Sequence, residues 1–137
     1  GRYRTDHYAD RSDPEPHFHD ARISFSREGT PRIELMEATG NGTHGQAQLG
    51  VHHLGIIGVA DPEGRRTELE ADGVEIDGCA LTPDGRILLM FTDKAVLDGV
   101  RMEYVGTIPG TVVADDGSPL WRDPDTGKPS LWGPPAT

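Results

Sequence analysis

Alternation of apolar and polar positions, the mark of a half-buried strand, runs from His17 to Ser26. It places His19, Ala21, Ile23 and Phe25 on one face and Phe18, Asp20, Arg22, Ser24 and Ser26 on the other. Arg27-Glu28-Gly29-Thr30-Pro31 has turn chemistry, with a glycine suited to positive φ, and a second strand over 32–38 closes a hairpin. Residues 40–50, with four glycines, read as a loop. The apolar run over 51–60 then predicts a buried strand. Asp61 can cap a helix whose first position is Pro62. Leu69 and Ala71 give it an apolar side and Gly73 ends it, so a short helix is predicted over 62–72. Strands follow at 74–80, 86–92 and 100–106, separated by Thr82-Pro83-Asp84-Gly85 and by Asp98-Gly99. The order over 51–106 is β-α-β-β-β. Residues 2–38 give a similar β-β-β ending without the preceding strand and helix, so one complete and one partial copy of a single unit explain both halves.

At 137 residues the chain has the length of one domain, large enough for two small units around a shared core. Only 34% of residues are apolar and 11 are proline, which predicts that part of the chain does not pack. That part begins at Thr107, where Pro, Gly and Asp dominate and Trp121 and Trp132 are the only large anchors. Two roles fit this tail: docking on the domain or a second subunit, or a lid over a pocket. A net charge of −10 argues against a nucleic acid or an anionic membrane as partner, since both require a basic footprint. Cys79 is the only cysteine, so an intrachain disulfide and a thiolate zinc site are both excluded, and it reads as a small buried residue. With no apolar run of bilayer length and no signal-peptide core, a cytoplasmic location is expected. The start at Gly1 fits a processed or incomplete chain.

The candidate chemistry lies in the strands. His52 and His53 head the apolar run, where packing alone does not explain titratable groups. Glu34 sits within Arg32-Ile33-Glu34-Leu35-Met36 and Glu103 within Arg101-Met102-Glu103-Tyr104. Alternation turns each carboxylate away from its apolar neighbours. Either glutamate alone is better read as solvent-facing. Together with one imidazole they form a donor set suited to Zn²⁺, Ni²⁺, Fe²⁺, Mn²⁺ or Co²⁺ with positions open for substrate. His52 is expected on the face opposite His53, packing or hydrogen-bonding, and His44 is expected to be a simple loop residue. His7, His17 and His19, among Asp6, Asp10, Asp13 and Asp20, read as a solvated surface. Arg101 shares the face of Glu103 and either neutralises a substrate carboxylate or phosphate or sits at the sheet rim. Gly40-Asn41-Gly42-Thr43-His44-Gly45 matches a nucleotide fingerprint in letters only, because no helix follows it. Nucleophile-elbow, Walker and serine-triad signatures are absent.

The string VHHLGIIGVADPEGRRTELEADGVE resembles the start of the second βαβββ module of the vicinal oxygen chelate superfamily. That superfamily includes glyoxalase I, methylmalonyl-CoA epimerase, extradiol dioxygenases and bleomycin-type resistance proteins. PRIELMEATG resembles the last strand of the family's first module and DGVRMEYVG the last strand of its second, so the likeness covers about residues 17–106. The resemblance implies an α+β fold in which paired βαβββ modules form a cup-shaped mixed sheet. On that scheme residues 1–39 end a first module that is incomplete in this chain, 40–50 form a Gly-rich linker, 51–106 are the second module and 107–137 the tail.

The resemblance also implies a divalent metal held by Glu34, His53 and Glu103, with His53 preferred to His52 because it directly precedes Leu54-Gly55. Glu103 or Glu34 would be the catalytic base and Arg101 a substrate contact. The family's fourth ligand, His or Gln on the first strand of module one, has no counterpart among His7, His17 and His19. Either preceding residues or a second subunit would have to complete the cup. The implied activity is that of a lyase or isomerase: proton transfer next to a carbonyl through an enolate stabilised by the metal, on a small-molecule substrate, in a homodimer. The alternatives are a metal-free protein that binds or sequesters a small molecule such as an antibiotic and, less well supported, a ring-cleaving dioxygenase. Dioxygenases of this family use a His-His-Glu set and lack a carboxylate on the strand of Glu34.

Overall fold

The computed structural model describes residues 1–26 and 31–107 and the short strand at 112–113. Residues 27–30 of the expected turn, and Trp121 and Trp132 of the tail, lie outside the described residues. The described residues contain two antiparallel meanders and one α-helix, with a further strand before the helix. The first meander is β1 (Arg2–Asp10), β2 (His17–Phe25) and β3 (Glu34–Met36); the alternation along β2 is observed, with His19, Ala21 and Ile23 buried and Phe18, Arg22 and Ser24 exposed. After the loop come β4 (His53–Val59), α1 (Pro62–Ala71), β5 (Ile76–Leu81), β6 (Ile87–Thr92) and β7 (Arg101–Gly106). β8 (Val112–Val113) pairs with β1. Helix α1 starts where its chemistry places it: the Asp61 carboxylate accepts the Gly64 N–H at 2.9 Å, Pro62 occupies the first turn, and Gly73 follows with φ +78°.

The strands join in one mixed sheet in the order β3-β2-β1-β5-β6-β7-β4. The meanders meet at the antiparallel β1·β5 pair, and β4 lies parallel to β7 after the α1 crossover. The sheet curls into a half-barrel, a cup-like α+β fold. Curling brings the two ends of the strand order, β3 and β4, close enough for Glu34 on one to bond His53 on the other at 3.1 Å. Leu69 of α1 packs with Ile87, Met90 and Tyr104, while Tyr8, Ala80, Leu88 and Phe91 form a second buried cluster.

Two expectations are corrected. β4 is not a buried strand: Leu54, Ile56 and Ile57 are 56%, 46% and 44% exposed. An apolar run reports what a strand can bury, and among the described residues β4 closes one end of the sheet with β7 as its only strand neighbour. The loop over 40–50 is more than a linker. It forms two 3-10 turns, Gly42–His44 and Gln46–Gln48, and buries Thr43 and His44.

Candidate metal centre

Register explains why two of the donors adjoin. In the parallel β4·β7 pair, His53 lies opposite Arg101 and Gly55 opposite Glu103, so His53 and Glu103 project from the same face of neighbouring strands. Gly55 leaves the space the carboxylate uses, since a Cβ there would come within 3.0 Å of Glu103 Oε2. Glu34 arrives from β3 across the cup. His53 Nε2 is 3.1 Å from Glu34 Oε2 and 3.4 Å from Glu103 Oε2, and one ligand atom from each residue falls within 4.8 Å of the others. Donors bound at ordinary nitrogen and oxygen distances to one divalent ion stand roughly 3.0–3.4 Å apart. Two hard carboxylates and an imidazole at these separations therefore fit a divalent cation in both spacing and chemistry.

The trio lies on the wall of a cavity of about 1020 Å³ that also involves Leu35, Leu49, Val51, His52, Leu54 and Ile57. Its lining is mostly apolar with polar groups converging at one place, the usual character of a small-molecule site. Burial pushes the Glu103 carboxyl from 4.5 up to about 7, against the opposing pull of His53 and with the charge of Glu34 adding to the rise. Burial disfavours the charged form of His53, but the hydrogen bond to Glu34 and the charges of Glu103 and Glu34 outweigh it, and the net shift is upward.

The other candidate residues divide sharply. Arg101 is on the same face as Glu103, but its guanidinium is buried against Asp77 at 2.6 Å and Gln48 at 3.2 Å and does not line the cavity. His52 is not turned away from His53: it precedes the first residue of β4, where strand alternation does not apply, and its Nδ1 lies 2.9 Å from His53 Nδ1. His19 is buried rather than part of a solvated surface, with its ring 4.4 Å from that of His44. Burial, reinforced by the neighbouring histidines, pushes His44 down to about 2, so it packs as a neutral ring. Neither His44 nor Thr43 carried a signal beyond the glycines around them.

These shifts carry a test. A group whose folded pKa exceeds its unfolded value stabilises the fold fully below the unfolded pKa and loses that contribution as pH rises through the folded pKa. For Glu103 the window runs from 4.5 to about 7. Buried neutral His44 works in the opposite sense, because its folded pKa lies below its unfolded one, so the Glu103 contribution is read against a variant. In metal-free protein, wild type is expected to lose about 3 kcal/mol relative to Glu103→Gln between pH 4.5 and 8. Urea denaturation of both proteins across that range checks it, and parallel curves contradict it.

Compared with known protein families, curated proteins and solved structures, the chain has no significant match. Among the described residues no helix is long and apolar enough to cross a membrane.

Proposed function

We propose that the chain is a divalent-metal-dependent enzyme of glyoxalase or epimerase type, a lyase or isomerase that moves a proton next to a carbonyl of a small molecule. The convergence of Glu34, His53 and Glu103 on one cavity wall carries this reading. The matching order of the meanders β1-β2-β3 and β5-β6-β7, with β4 and α1 completing only the second, supports one whole and one partial βαβββ module of the vicinal oxygen chelate type. A divalent ion in this donor set supplies Lewis acidity toward adjacent substrate oxygens.

The residues themselves do the rest. His53 holds the two carboxylates together from the parallel strand pair. Glu103, whose burial raises its proton affinity to near working pH, takes the proton from the carbon beside the carbonyl, and the C–H electron pair moves onto the carbonyl oxygen. In an isomerisation Glu103 returns the proton to the neighbouring carbon. In an epimerisation Glu103 keeps it, and Glu34 on the facing strand, entering the cycle protonated, delivers its own proton to the opposite side of the same carbon. Exchange with solvent after product release resets both carboxyls.

A second reading, a metal-free protein that sequesters a small molecule, draws on the largely apolar lining and on a donor set of three. Deuterium wash-in separates the two. Protein loaded with each candidate metal is incubated in heavy water with a panel of small 2-hydroxy and 2-oxo compounds, and exchange beside the carbonyl is followed by NMR. Metal-dependent exchange supports the enzyme. Tight binding of an aromatic compound by metal-free protein, without exchange of any panel member, supports sequestration.

The reading extends to a homodimer, supported by the exposed apolar side chains Ile33 and Leu35 at one end of the sheet and Leu54 and Ile56 at the other. Sedimentation is expected to give twice the mass of one chain, and a single-chain mass at all concentrations contradicts it.

A further inference from the structure

The loop beside the site reaches His53 through a single peptide group. Asp10 anchors it: one carboxylate oxygen accepts the Thr43 N–H at 2.9 Å, and the other accepts the N–H groups of Ser12 and Asp13 at 2.9 and 3.0 Å. On the far side of the same residue, the Thr43 carbonyl oxygen lies 2.6 Å from His52 Nε2. A carbonyl only accepts, so His52 Nε2 carries the hydrogen.

An uncharged imidazole with its hydrogen on Nε2 has a bare lone pair on Nδ1. That atom lies 2.9 Å from His53 Nδ1, a distance at which one nitrogen must donate to the other. The hydrogen therefore belongs to His53 Nδ1. His53 Nε2 in turn donates to Glu34 Oε2 at 3.1 Å, so an ion seated among Glu34, His53 and Glu103 would displace this hydrogen and take the Nε2 lone pair, while the Nδ1 hydrogen stays bonded to His52. The ring of His52 is held in place by stacking on His44 at 5.5 Å and 23° and by the edge contact of Phe91 at 5.6 Å.

We propose that His52 is a positioning residue: through the Thr43 carbonyl it fixes the tautomer and ring orientation of His53 and so prepares Nε2 to bind a metal ion. The consequence for metal affinity rests on the metal-dependent reading; the tautomer does not.

Both are measured on the full chain. In metal-free protein at pH 8, ¹⁵N-histidine NMR is expected to show His53 protonated on Nδ1 and His52 protonated on Nε2. A His53 Nδ1 that carries no hydrogen overturns the proposal. His52→Asn retains an oxygen near the position of Nδ1 and should keep both the His53 spectrum and Zn²⁺ affinity within about threefold of wild type. His52→Leu, which removes the acceptor, should deplete the hydrogen on His53 Nδ1 and weaken Zn²⁺ by about 10- to 100-fold in calorimetry. An unchanged His53 spectrum and unchanged affinity in His52→Leu also overturn it. If wild type binds no Zn²⁺, the metal-dependent reading fails, and the NMR of wild type and His52→Leu still decides the positioning role.

Discussion

Glu103→Gln is expected to slow proton exchange beside the substrate carbonyl by about 10²- to 10⁴-fold, the range in which a positioned general base contributes. The amide keeps the size of the side chain and its contact with Gly55 but can neither accept a proton nor carry charge. Two losses are combined in this variant, a base and a metal donor, and they separate by titration. Rates recovered at saturating metal would assign Glu103 to coordination alone, whereas a deficit that persists assigns it the proton. Folding is not expected to suffer. Above pH 7 the variant no longer buries a carboxylate whose ionisation the site opposes. Exchange at wild-type rate, followed by NMR in heavy water, contradicts the role given to Glu103.

Phe91→Ala is expected to remove about 3–5 kcal/mol of stability, a large share of the total for a domain of this size. Phe91 is 1% exposed and packs with Tyr8, Ala80 and Leu88. Its ring also touches His44, His52 and His53 at centroid distances of 5.4, 5.6 and 5.3 Å, so the core beneath the site and the imidazoles above it share one side chain. Phe91→Leu, which leaves a smaller void, is expected to cost about 1–1.5 kcal/mol. Urea denaturation measures both. A loss below about 1 kcal/mol for the alanine variant would mean that the cup is not packed around this ring.

Local pattern made much of this legible. Helix α1 could be read from Asp61 and Pro62, β2 from its alternation, and β6 and β7 from the turn residues that bound them, because a cap, an alternating face or a turn is a property of a few adjacent residues. The donors were legible as Glu or His within strands. Their meeting was not, since it requires β3 and β4, the two ends of the strand order, to be brought together by the curl of the sheet. The exposure of β4 was hidden for the same reason: Ile56 and Ile57 state what they can bury, not whether a neighbour arrives.

The loop over 40–50 was misread more deeply. Its glycines signal irregular backbone, whereas its order depends on Asp10, which lies 33 positions before Thr43. Without that anchor, buried His44 reads as a simple loop residue and alternation turns His52 to the face opposite His53.

The site's purpose rests on whether a divalent ion seats between β3, β4 and β7. The most direct measurement is calorimetric titration of stripped protein with Zn²⁺, Ni²⁺, Fe²⁺, Mn²⁺ and Co²⁺, alongside His53→Ala and Glu103→Ala. One ion per site in wild type for at least one of these metals, lost in both variants while their fold is retained by circular dichroism, is the predicted result. Wild type that takes up none of the five, or variants that bind as tightly as wild type, would contradict the account.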